Sequence, residues 1–131
     1  METDYKAQRF VDLGLPSGTL WKDENEDCGL CTYLEAIKMY GKDMPTKEQY
    51  EELKEKCRWI WDDNGYKVIG PNGNWIFLPA VASLCYLWSA TSEDSYNAWG
   101  LAFDSAGVYM FCDIHSYRLF VRLVQDKCWR A

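Results

Sequence analysis

The sequence is poor in several things that most functional classes require. It holds a single histidine, His115, so any Ser–His or Cys–His catalytic pair must use that residue. The nearest cysteine, Cys112, lies three positions away, which on an extended chain puts the two side chains on opposite faces. No glycine-rich phosphate loop occurs. Acid pairs exist at Asp62-Asp63 and Glu93-Asp94, but both sit in turn-like sequence where solvated loop carboxylates are the ordinary reading. Catalysis is therefore not expected, and no cofactor is implied.

Basic charge is also scarce. Fourteen Lys and Arg stand against twenty Asp and Glu, a formal net charge of −6. Nucleic-acid affinity rests on neutralising phosphates with Lys and Arg, so this balance argues against a nucleic-acid partner. No apolar run approaches the length of a membrane span, so membrane insertion is not expected. The opening METDYKAQRF is charged and has no apolar stretch of the secretory kind. Localisation stays open between a chain kept inside a cell and one whose leader has been removed.

Cysteine is not scarce, but its spacing is irregular: positions 28, 31, 57, 85, 112 and 128. Cys28-Gly29-Leu30-Cys31 is a CxxC, the spacing of a redox pair or half a zinc site. A second ligand pair is missing, and no βαβ pattern surrounds the motif. Structural thiols are the simpler reading, with disulfide against free thiol left open.

What the chain has in excess is aromatic side chains, 16% of residues, including seven Trp and nine Tyr. At 131 residues, one domain spanning 1–131 can bury a core without staples, yet some of these rings must reach the surface. Tyr and Trp there either anchor a binding patch or fill the gaps of a small mixed sheet.

Order along the chain points to an α+β class. FVDLGLPSGTLW (10–21) reads as two short strands around a Pro-Ser-Gly turn. YLEAIKMYG places Tyr33, Ile37 and Tyr40 at helical spacing with Gly41 as the stop. PTKEQYEELKEKC opens on Thr46 with Gln49 three residues later, a capping box, and Tyr50, Leu53 and Cys57 form the apolar stripe. The period then shortens. YKVIG-PNGN-WIFLP is a hairpin turning at Asn72-Gly73, and LWSATS, AWGLAFD, GVYMFCD and LFVRLV are extended segments with turns between them. No linker, low-complexity tract or internal repeat interrupts this order.

Five phrases carry a resemblance: VDLGLPSGTLW (11–21), MPTKEQYEEL (44–53), GYKVIGPNGNWIFLP (65–79), LWSATSEDSYNAW (87–99) and FVRLV (120–124). In that order they resemble a family common in gut Bacteroidetes and their phages, the fibrobacter-type paralogous domains. More distantly the chain is similar to the formylglycine-generating-enzyme group of C-type lectin-like folds. The resemblance covers roughly residues 10 to 124. It implies a C-type lectin-like fold, two helices with a twisted, mainly antiparallel sheet. Proteins that look like this include the variable proteins of diversity-generating retroelements, which display a diversified ligand-binding face on a rigid scaffold. The setting so implied is a virion or a cell surface. The chain departs from the family at Phe120, where the motif has Ser, at Ala90 within WSAT, and most of all over 108–119.

That last stretch is where the resemblance places the binding face, and the residues agree. With Val108, Met110 and Cys112 facing inward on a strand, Tyr109, Phe111 and Asp113 face outward. His115, Ser116 and Tyr117 continue the site if the chain stays extended, and Tyr86, Tyr96 and Trp99 are expected beside them. Rings with a few polar tips suit a protein or other cell-surface ligand. Two other activities within this fold group find no residues here. Calcium-dependent sugar binding needs Glu-Pro-Asn or Gln-Pro-Asp with Trp-Asn-Asp, and none occurs; formylglycine generation needs a reactive cysteine pair, and the context of Cys112 and Cys128 does not match. An undiversified surface or structural domain of the same family is the competing expectation.

Overall fold

Both helices begin where their side chains supply what the backbone lacks. The first four N–H groups of a helix have no partner within it. At α1 (Tyr33–Tyr40) Thr32 accepts from the Glu35 N–H and the Glu35 carboxylate accepts from the Thr32 N–H. At α2 (Lys47–Lys56) Thr46 and Gln49 make the same reciprocal pair. Gly41, at φ 47°, ends α1 and leads through a 3₁₀ turn, Gly41–Asp43, into α2. The structure is a computed structural model and describes residues 9–27 and 29–126. Cys28, the first member of the CxxC, and Cys128 lie outside the described residues.

Among the described residues, nine strands accompany the helices: β1 (Phe10–Asp12), β2 (Thr19–Lys22), β3 (Arg58–Trp61), β4 (Gly65–Ile69), β5 (Trp75–Pro79), β6 (Leu84–Ser92), β7 (Asn97–Asp104), β8 (Gly107–Ile114) and β9 (Val124–Asp126). They form three three-stranded sheets in the orders β1-β2-β9, β3-β4-β5 and β6-β7-β8, with every strand pair antiparallel. The class is therefore α+β, but the sheet is divided where one twisted sheet was expected. The pairing of β2 with β9 brings the two ends of the described chain together.

Two differences from the sequence reading concern strands. Arg58–Trp61 forms β3, which the run after α2 had not disclosed; its Trp59 and Trp61 rings meet Tyr66 edge-on at 5.4 and 5.1 Å. LFVRLV is not a continuous strand. Leu119 and Phe120 make single bridges to Cys31 and Leu87, and regular pairing starts only at Val124. Residues 121–123 stay buried because they are held from the β1–β2 side, where Glu26 and Lys22 N–H groups donate to the Val121 and Leu123 carbonyls.

Among the described residues, two apolar clusters result. The larger joins α2, through Tyr50 and Leu53, to Trp21, Val68, Ile76, Leu87, Leu101 and Phe103. The smaller gathers Tyr33 and Ala36 of α1 with Trp88, Ala98, Leu119 and Val121. The β6-β7-β8 sheet divides them, one face toward each, and this sets what its strands can show to solvent. Arg122 is fully buried and charged; its guanidinium donates to Asn25 Oδ1 at 2.7 Å and to the carbonyls of Lys22 and Phe77 at 2.8 and 2.7 Å. A buried cation is tolerated only when its donors are matched in this way.

Candidate functional site

Residues directly opposite in an antiparallel pair share a face of the sheet. The register Tyr86↔Ala102↔Tyr109 and Trp88↔Gly100↔Phe111 therefore places Tyr86, Tyr109 and Phe111 together, with Asp113 opposite Ala98 further along. The opposite face carries Cys85, Leu87, Leu101 and Phe103 into the larger core, with Val108 and Met110 packed against it. Alternation along β8 thus separates Tyr109 from Val108 and Met110, as the sequence pattern indicates.

The small residues of the central strand shape the outward face. Gly100 has no side chain, and the Phe111 ring lies across it: a β-carbon there would stand 2.8 Å from the ring. Phe111 is half-buried as a result, packed against the smaller cluster, and Tyr86 meets its ring edge-on at 5.2 Å. Such a pair is worth about 1 kcal/mol beyond its buried area. Tyr109 folds back over Gly107, whose added β-carbon would lie 2.9 Å from the Tyr109 hydroxyl. Tyr86 and Tyr109 remain 38% and 47% exposed. The row is thus two exposed tyrosines, Tyr86 braced by a phenylalanine that is itself supported from below and Tyr109 laid over Gly107.

Five expected members stand elsewhere. Trp99 is opposite Cys112, on the face shared with Leu101, so it is not beside Tyr109. There the Lys47 ammonium lies 4.0 Å above its ring centroid. The inward placement of Cys112 is likewise corrected: near the end of β8 the core no longer covers this face, and the thiol is exposed. His115 and Tyr117 do not extend the strand, because β8 ends at Ile114 and the Tyr117 N–H turns back to the Ile114 carbonyl at 3.0 Å. That turn brings His115 against Tyr33, rings stacked at 4.5 Å, while its backbone accepts from the Tyr33 N–H and donates to the Tyr96 carbonyl. Tyr96 (74% exposed), Ser116 and Tyr117 (53% exposed) form a second group of exposed side chains around this turn.

The β6–β7 turn beside them is held by one carboxylate. Asp94 Oδ1 accepts from the Tyr96 and Asn97 N–H groups, both at 2.8 Å, and these bonds hold its pKa below the ordinary carboxylate value. Comparison with family models, with curated proteins and with solved structures returns no match. What this face can do follows from its own side chains.

Among the described residues, no group of three or more His, Cys, Asp or Glu is placed to hold a metal ion. Burial pushes the Cys57 thiol up to about 11 and the Cys85 thiol up to about 12. Cys112 is also raised, by burial and then by Glu93. None of these three gains the thiolate character of a reactive cysteine. The chemistry on offer at the β6-β7-β8 face is contact area, ring edges and faces, phenolic hydroxyls and carboxylates. Sequence reasoning missed Leu84 and Asp104, which share that face through the Leu84↔Asp104 pair. It also missed Gly100 and Gly107; a glycine inside a strand pattern signals close approach of another group and was the available clue.

Proposed function

We propose that this chain is a non-catalytic display domain with a C-type lectin-like fold, of the kind diversified by retroelements, that binds a protein or other cell-surface ligand. Tyr86, supported by Phe111, and Tyr109, laid over Gly107, are its anchors, with Asp113 and the turn residues Tyr96, His115, Ser116 and Tyr117 giving discrimination. One observation carries the reading: an exposed row of rings is fixed on a rigid antiparallel sheet by packing from within the protein. Interfaces draw their energy from a few such aromatic anchors, and rings already held in place lose little entropy on binding. An early pair of strands, two helices and then a run of antiparallel strands support the fold assignment, as do the five sequence phrases that carry the resemblance.

The test is deep sequencing of the 3′ end of this gene across a natural population. The reading expects substitutions concentrated at the codons for Tyr109, Phe111, Asp113, His115 and Tyr117, with Val108 and Met110 constant. Uniform sequence across 108–119 would remove the diversified reading and leave a fixed surface domain.

A further inference from the structure

The charge around the aromatic row is one-sided. Between Lys67 and Arg118 the sequence contains no Lys or Arg, yet it contains Glu93, Asp94, Asp104 and Asp113. This interval includes all of β6, β7 and β8. Two of the four acids lie on the ring-bearing face: Asp104, opposite Leu84 and Gly107, and Asp113, opposite Ala98. They stand at opposite ends of the row, one six residues from the register position of the other along β7, or about 20 Å at a strand's rise.

Each carboxylate is oriented by the backbone, and among the described residues no Lys or Arg pairs with it. Asp104 Oδ1 accepts from the Ala106 and Gly107 N–H groups at 2.9 and 3.2 Å, and Asp113 Oδ1 from the Ile114 N–H at 2.9 Å. Arg118, which borders the row near Tyr86, is already matched to Glu35 at 3.2 Å. Lys47 lies over Trp99 on the opposite face. The row therefore reads acid, ring, ring, acid. A second copy of this chain, with its net charge of −6, is repelled by such a surface, and so is a nucleic acid.

Resting on the display-domain reading, we infer that the partner is a protein segment with Lys or Arg on both sides of an apolar centre. The apolar centre meets Tyr86, Tyr109 and Phe111; the flanking cations meet Asp104 and Asp113. Opposite potentials at a rim steer encounter and select register, while the rings supply the contact area. Exposed phenol faces add cation–π attraction for the same side chains.

The experiment is selection of a displayed random 12-residue peptide library on the immobilised, full-length protein, repeated on Asp104→Asn/Asp113→Asn and on Tyr86→Ser/Tyr109→Ser. Circular dichroism confirms that each variant is folded. The expected result is enrichment of peptides with Lys or Arg flanking apolar residues. Their synthetic versions should bind about tenfold or more weakly to the Asn variant, and more weakly as salt rises. Peptides lost on the Ser variant but showing neither basic flanks nor any response to the Asn variant would overturn this inference and leave the display reading intact. No peptide dependent on Tyr86 and Tyr109 would overturn both. Enriched acidic peptides, or self-association detected by light scattering, would overturn the charge argument.

Discussion

The Phe111 ring occupies the space that a side chain on Gly100 would need. A β-carbon at Gly100 would lie 2.4 Å from the Leu87 carbonyl oxygen and 2.8 Å from the ring. The first contact is with backbone and cannot relax by a rotamer change. Gly100→Ala should therefore destabilise the fold by about 2 kcal/mol or more, as overpacked sites do. It should also push Phe111 off the strand and release Tyr86 from its edge-on contact. Denaturant unfolding measures the first effect, and near-ultraviolet circular dichroism of the rings the second. Unchanged stability would mean that Phe111 does not rest on the strand.

Removing the cap of α2 should cost less. Thr46 accepts from the Gln49 N–H at 3.1 Å, and the Thr46 N–H is matched by the Gln49 side chain. Thr46→Ala loses one of these bonds and weakens the other, so about 1 kcal/mol is expected, read as a lower denaturant midpoint at unchanged slope. Thr46→Ser should restore most of it, because the hydroxyl remains.

Features of this kind were legible because they are local. The α2 capping box, the Asn72-Gly73 turn and the alternation of Val108, Tyr109 and Met110 in β8 are written in consecutive residues, and each reappears in the structure; the α1 box of Thr32 with Glu35 was equally local and went unread. Relations across the chain were not legible. Trp99 was expected beside Tyr109, although Leu101 and Phe103, on the same side of its strand, already pointed to the core. The error came from assigning a large ring to the surface without applying strand parity. The turn at 115–117 depends on α1, whose Tyr33 N–H captures the His115 carbonyl, and nothing near His115 in sequence announces that. The division into three sheets follows from pairings between distant parts of the chain, such as Trp21 with Val124.

The turn at 94–97 should be sensitive to acid. Backbone N–H groups of Tyr96 and Asn97 hold the Asp94 pKa below its ordinary value of 3.8, so the folded turn favours the ionised form. A group depressed in this way contributes stability above its unfolded pKa and loses it as pH falls through the folded value. The Tyr96 and Asn97 amide resonances should therefore stay constant down to about pH 4 and shift below it. Asp94→Asn should perturb both at neutral pH. Amides unmoved by either change would remove Asp94 from the turn.

Thiol reactivity should follow exposure and ionisation together. At pH 8 a thiol with a pKa of about 12 is ionised in roughly one molecule in ten thousand. Cys85 is also buried, so iodoacetamide should leave it intact in the native protein and label it after unfolding. Cys112 is exposed and should be labelled first of Cys57, Cys85 and Cys112. Mass mapping of the digested protein separates the sites. Early labelling of Cys85 would mean that the sheet opens locally far below the cost of global unfolding.

Arg122 offers the sharpest test of how the C-terminal segment is held. Its pKa is lowered to about 10, chiefly by burial, so removal from water is a real cost. Against it stand three charge-assisted bonds, to Asn25, Lys22 and Phe77, that tie residues 22–25 and β5 to the segment after Phe120. Arg122→Met removes the desolvation cost but leaves three acceptors facing an apolar chain. At about 1–3 kcal/mol for each unsatisfied group, the loss should exceed the gain by at least about 2 kcal/mol. Arg122→Lys keeps the charge but has no planar fork to reach three separated acceptors, so it should not rescue the fold. Comparing the two variants in denaturant distinguishes charge from geometry. A Lys variant as stable as the parent would mean that a point charge suffices, and a Met variant as stable would mean that the bonds contribute nothing net.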